Sequence, residues 1–292
     1  MPRFRQLIDR ARVALAVAAM GLGLAGCQTS SVPKISSLPR QCEVNLPHLT
    51  VRSDVEIHRE DPFLQDLLNL GKEVRATLHL PPAKRPVTVY LFRDEARYVR
   101  FMRDRHPGLP ARRAYFIGTS KELMVYAFWG DKTMEDLRHE YTHGVLHASL
   151  KTVPLWLDEG LAEYFEVTPT GPIGLNRDHA ESLSLAVHNG WKPDLRRLEQ
   201  VDDVSQMQRG DYQEAWAWVH YLLQGSPDGP RQLMDYLKAL EDAAVAPALA
   251  SRLEADLHES EQRLVVHVAG LGLSALTSHR SPPGKPEHAI AR

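Results

Sequence analysis

His139-Glu140-Tyr141-Thr142-His143 stands inside a stretch, Met134 to Leu150, whose apolar residues recur at helical spacing. Met134, Leu137, Tyr141, Val145 and Ala148 share one face, and Thr133-Met134-Glu135-Asp136 has the form of a capping box that would start the helix. His139 and His143 then lie one turn apart on the opposite side, with Glu140 beside them. Two imidazoles so placed can reach one metal ion while the carboxylate reaches a water bound to it, as metal-assisted hydrolysis requires. The five-residue pattern also arises by chance, so its weight depends on the residues downstream.

The downstream segment is Pro154-Leu155-Trp156-Leu157-Asp158-Glu159-Gly160-Leu161-Ala162-Glu163-Tyr164-Phe165-Glu166. A short turn at Lys151 to Val153, with Pro154 suited to a first helical position, would fold a second helix back beside the first. Zinc needs a third protein ligand that leaves one position open, and Glu159 is the candidate. Leu157, Leu161, Tyr164 and Phe165 share one face, whereas Glu159, Glu163 and Glu166 lie on the other. A solvated acidic stripe is the alternative, but Leu155 and Trp156 beside these carboxylates suggest a covered face that looks into a cleft. Glu163 is expected to accept a hydrogen bond from the outer nitrogen of a ligand histidine and so orient the ring. His147 lies about 12 Å along the axis from His139, too far to share an ion, and reads as a core or supporting residue. Asp158 is a weaker ligand candidate.

Upstream, Pro62 to His79 reads as a helix, Val87 to Phe92 as a buried strand, and Asp94 to Arg105 as a helix with an acidic cap. Arg113 to Ile117 and Glu122 to Phe128 are rich in strand formers. After Gly130 helical patterns dominate, including Tyr212 to Gln224, Pro230 to Glu241 and a last helix from about Arg252. The expected fold class is α+β, with a small mixed β-sheet lobe at residues 49–130 and a mainly helical lobe at 131–272. Residues 273–292, with Pro282, Pro283, Gly284 and Pro286, read as a disordered tail.

The chain has 292 residues, 43% of them hydrophobic, enough for a sizeable core. Its 35 Lys and Arg against 37 Asp and Glu give a formal charge of −2 and no general attraction to nucleic acid. Arg3, Arg5, Arg10 and Arg12 precede an apolar run, Val13 to Leu24, that is shorter than the roughly 20 residues of a spanning helix. Residues 1–26 therefore read as an export signal. Its end, Leu24-Ala25-Gly26-Cys27, resembles the bacterial lipobox, which implies cleavage before Cys27 and lipid modification of it. Cys42, the other of the 2 cysteines, is then left without an intramolecular partner. Residues 27–48 read as a flexible tether, and Gln28 after the cysteine favours an outer-membrane protein facing the periplasm.

The two quoted motifs together resemble the gluzincin metallopeptidases, especially the peptidase MA-like group, over about residues 121 to 166. The resemblance implies one Zn2+ on His139, His143 and Glu159, Glu140 as general base, and a peptide or protein as substrate; that the substrate belongs to the envelope follows from the expected location alone. It implies a sheet whose edge strand, taken as Glu122 to Phe128, precedes the motif helix and holds the substrate extended. It offers Tyr212 as the donor that steadies the oxyanion, with His179 and His220 held in reserve. The Gly-x-Met-Glu-Asn segment with which the aminopeptidase branch holds a free amino terminus has no counterpart before His139, so endopeptidase action is favoured. A rival expectation keeps the scaffold as an envelope-tethered binding or assembly factor without chemistry, although such a protein has no need of Glu140.

Overall fold

The computed structural model describes residues 36–167, 174–253 and 256–278. The expected signal peptide and Cys27 lie outside these residues, as does the expected tail beyond Ser278. No helix among the described residues is long and apolar enough to cross a membrane.

Five strands form one mixed sheet: β1 (Cys42–Leu46), β2 (Leu49–Ser53), β3 (Val87–Phe92), β4 (Ala114–Gly118) and β5 (Leu123–Phe128), in the order β1-β2-β3-β5-β4. The pairs β1–β2 and β4–β5 are antiparallel, while β2–β3 and β3–β5 are parallel. The sheet thus begins at Cys42, inside the stretch expected as tether, because Val44 and Leu46 pack against the core that β2 enters. The parallel steps are bridged by α1 (Pro62–Thr77), between β2 and β3, and α2 (Glu95–Arg105), which follows β3. Asp94 caps α2 through its side chain, as the sequence suggested.

Strand alternation sorts the two faces of the sheet. Val87, Val89, Leu91, Val125 and Ala127 join the main core, whereas Tyr90, Phe92 and Tyr126 join Tyr98, Phe101 and Met102 of α2 in a smaller aromatic cluster. On the main-core face lies α3 (Thr133–Ser149), followed by α4 (Leu155–Phe165). Gly144 lets α3 come close: a Cβ there would stand 2.8 Å from Val87 Cγ1. The capping box expected at the start of α3 is not formed. Thr133 is the first helical residue, and its hydroxyl bonds Gly130 and Phe128 of the incoming loop instead. Pro154 likewise sits at the N-cap of α4, one residue outside the helix.

The remaining helices are α5 (Arg177–His188), the one-turn α6 (Leu195–Leu198), α7 (Arg209–His220), which runs into a π-helical turn at Tyr221–Gly225, α8 (Gly229–Leu240), the one-turn α9 (Leu249–Arg252) and α10 (Leu257–Ser278). The last of these continues past residue 272 into the stretch expected as tail. The described fold is α+β, as the sequence indicated. Gly160 brings α4 and α7 together, since a Cβ there would lie 2.5 Å from the Ala215 carbonyl oxygen. Arg138 straps α3 to the end of α4: its buried guanidinium donates to the carbonyls of Phe165, Glu166 and Val167 and to both oxygens of Asp66 on α1.

Candidate metal centre

Helix α3 supplies His139, Glu140 and His143, and α4, folded back beside it, supplies Glu159. Glu159 Oε2 lies 3.4 Å from His139 Nε2 and 3.7 Å from His143 Nε2. Ligands about 2.0–2.1 Å from a tetrahedral ion stand roughly 3.3–3.5 Å apart, so the three atoms have nearly the spacing zinc demands. Glu159 is only 6% exposed, and its Oε2 is buried yet accepts no hydrogen bond. A carboxylate oxygen so placed is costly unless a cation or a proton completes it, and the donor set fits zinc. The solvated acidic stripe is excluded at this point of α4, where every residue from Leu155 to Ala162 is buried.

Carboxylates behind the rings fix which nitrogens face inward. His143 Nδ1 is 2.9 Å from Asp158 Oδ1, and His139 Nδ1 is 3.0 Å from Glu166 Oε2. With each Nδ1–H donated backward, both Nε2 lone pairs are left for the ion. Asp158 shares its other oxygen with His147 Nε2 at 2.8 Å, and Glu166 is held by Asn176 Nδ2 at 3.0 Å. His147 is therefore a supporting residue, and Asp158 an orienting residue rather than a ligand.

The orienting part expected of Glu163 falls to Asp158 and Glu166. Glu163 Oε2 instead pairs with His179 Nε2 at 2.9 Å, because one turn beyond Glu159 the side chain stands about 6 Å further along the axis, where α5 packs beside it. Glu163 and Glu166 do form a second group with His139 in which potential ligand atoms lie within 4.8 Å of one another. Its only nitrogen is the Nδ1 already donated to Glu166, so the group reads as the outer support of the histidine. Both orienting residues had a sequence signal: Asp158 adjoins the ligand, and Glu166 ends the acidic stripe.

Burial and charge act against each other here. Burial alone would depress both imidazoles, but the hydrogen bond to Glu166 and the negative charges of Glu159 and Glu140 beside it hold His139 well above its ordinary value. Asp158 and Glu159 raise His143 to about 9. Burial of Asp158 is outweighed by His143 and His147, which keep its carboxylate well below the usual range. A metal ion taken up here would displace protons from the histidines. Burial raises Glu140 against the opposing pull of the two histidines.

Glu140 Oε2 accepts the main-chain N–H of Phe116 at 2.6 Å. Phe116 belongs to β4, and its ring packs on His143 and His147 with centroids 6.0 and 5.2 Å away. The strand bordering the site is thus β4. Glu122 to Phe128 was expected as the edge, but β5 lies between β3 and β4, because the chain forms the outer strand first and returns inside it by a hairpin. Across the site, Tyr212 opens α7, held at its level by the contact of Gly160 with Ala215. The Tyr212 hydroxyl is 3.5 Å from Arg112 Nη2, and burial, then the charge of Glu159, raises its pKa. Arg112 is a neighbour of the site that nothing in its local sequence pattern marks. His220, a reserve candidate, instead pairs away from the ligands with His267, at 2.9 Å.

No family model matches the chain, and no curated protein matches it. Among solved structures it is similar to a mutant M1 zinc metallopeptidase from Deinococcus radiodurans bound to a Tyr-Ser-Ala substrate, with a TM-score of 0.41 and 20% identity. The match covers 84% of this chain and 52% of that one, so the chain spans about half the length of that enzyme.

Proposed function

We propose that this chain is a zinc-dependent peptidase, an endopeptidase rather than an aminopeptidase, held to the bacterial envelope by lipid on Cys27. The observation that carries the catalytic part is Glu159 Oε2, buried and unpartnered beside two Nε2 atoms whose rings are oriented from behind. The basic and apolar start of the sequence and its lipobox-like end support the anchoring, with an outer membrane facing the periplasm as the location.

His139, His143 and Glu159 would hold the ion, which when bound supplies Lewis acidity towards water and a carbonyl oxygen. Glu140 stands beside them to take a proton from the attacking water and to deliver it to the leaving amine. The Phe116 N–H keeps its carboxylate aimed along β4. Tyr212 is offered as the donor to the oxyanion, and a peptide substrate would pair with the edge of β4.

The test is zinc content and peptide hydrolysis in the wild type, Glu140→Gln and Glu159→Ala. Zinc in the first two, its loss from Glu159→Ala, and hydrolysis by the wild type alone are expected. Full activity in Glu140→Gln would overturn the proposal.

A further inference from the structure

Two adjacent arginines precede β4 and meet different fates. Arg113 is neutralised on α3, with Nη2 2.7 Å from Asp136 Oδ1 and 3.5 Å from Glu135 Oε1. Arg112 makes no ion pair among the described residues. Its guanidinium carbon stands 5.8 Å from the centre of the Tyr115 ring, and Nη2 reaches the Tyr212 hydroxyl at 3.5 Å. Because Tyr212 is on α7, Arg112 links the start of the edge strand to the helical lobe. An exposed guanidinium held by one long neutral contact and one ring keeps most of its donors for a ligand.

The direction of β4 says which part of a substrate that ligand group belongs to. Arg113 meets Asp136, whereas Phe116 meets Glu140 and the rings of His143 and His147, so strand and α3 run the same way past the ligands. The Phe116 N–H points away from β5, and the two-residue period puts Ala114 and Gly118 on the same outward edge. A peptide pairing antiparallel with that edge enters beside Gly118 and leaves beside Ala114. Its C-terminal side ends at Arg112.

We infer that Arg112 binds a substrate carboxylate on the C-terminal side of the cleaved bond, either the chain's own terminus or an acidic side chain. Arg presents a planar fork matched to a carboxylate, and Tyr115 and Tyr212 fix that fork at the mouth of the cleft. The inference rests on the proposed peptidase reading but concerns recognition, which can be measured apart from turnover. A terminal carboxylate would make the enzyme trim chain ends; an acidic side chain would let it cut internally.

The experiment uses full-length, zinc-loaded Glu140→Gln protein, with and without Arg112→Gln, immobilised and exposed to a degenerate heptapeptide mixture made both as free acids and as C-terminal amides. Retained peptides are read by mass spectrometry, and equal zinc content and melting temperature establish that both proteins are folded. Arg112 is expected to favour carboxylate-bearing peptides about 10- to 100-fold, the span of a charge-assisted hydrogen bond, and Arg112→Gln to abolish the preference. Enrichment of acids over amides identifies the terminus; enrichment of Asp or Glu over Asn or Gln among the amides identifies a side chain. No enrichment, or enrichment that survives Arg112→Gln, overturns the inference. The peptidase reading fails separately, if wild-type protein cleaves none of the retained peptides.

Discussion

Asp158 binds two histidines at once, His143 through Oδ1 at 2.9 Å and His147 through Oδ2 at 2.8 Å, although it is the immediate neighbour of the carboxylate that faces the metal position. Successive residues of one helix point about a quarter-turn apart, so adjacent carboxylates can reach the back and the front of the same ring. Asp158→Asn leaves all three candidate ligands in place. Zinc affinity, measured by competition with a chromophoric chelator, should fall about 10- to 100-fold. Unchanged affinity would show that the orientation of His143 is set elsewhere.

Glu166 and Glu163 should separate cleanly. Glu166 holds His139 directly, whereas Glu163 pairs with His179 and reaches His139 only through Glu166. The same competition assay should give Glu166→Gln a loss similar to that of Asp158→Asn, with Glu163→Gln within a factor of about three of wild type. The reverse order would restore Glu163 as the orienting residue.

Tyr212→Phe removes one hydroxyl from the far wall of the cleft. Loss of a single oxyanion donor lowers kcat by about 10²–10³, with KM and zinc content little changed. If Tyr212 serves packing alone, steady-state kinetics will show wild-type kcat and chemical unfolding will show the change instead.

Gly160→Ala tests the seam between α4 and α7. The added methyl meets the Ala215 carbonyl oxygen, where backbone rather than a flexible side chain must give way. Urea unfolding of chelator-treated protein should show a loss of about 1–3 kcal/mol. A neutral result would mean that the helices separate without cost.

Buried His220 and half-buried His267 form a pair facing Tyr164, Trp216 and Tyr221. Burial, reinforced by His267, lowers His220 to about 4. The unfolded chain, with an ordinary histidine near 6.5, then binds more protons than the native one between these values, so stability is full above pH 6.5 and falls as pH drops towards 4. On the order of 1–2 kcal/mol should be lost from this pair between pH 7 and pH 5 in chelator-treated protein. His220→Gln should flatten that slope, and an equally steep one would assign the acid sensitivity to other groups.

Local pattern carried much of the fold and part of the site. The helical face of Leu137, Tyr141, Val145 and Ala148 is buried as its spacing required, and His139, His143 and Glu159 meet across two helices whose separation in sequence is short. What escaped depends on where the chain goes after a turn. Strand preference is the same in β4 and β5, so only the hairpin's direction decides which lies outside. Glu163, Glu166 and Asp158 are all acidic residues of one helix, and the rotation that sends one to α5 and the others to the imidazoles belongs to packing. Arg112 and Tyr212 are 100 residues apart, and no local spacing records their contact.

Arg138 adds a consequence for the order of folding. It adjoins His139, and its guanidinium holds the carbonyl end of α4, where Glu166 grips the back of that histidine. These partners lie within one helical hairpin, and contacts that close short loops form early. The hairpin can thus bring the candidate ligands and their supports together before distant strands have paired.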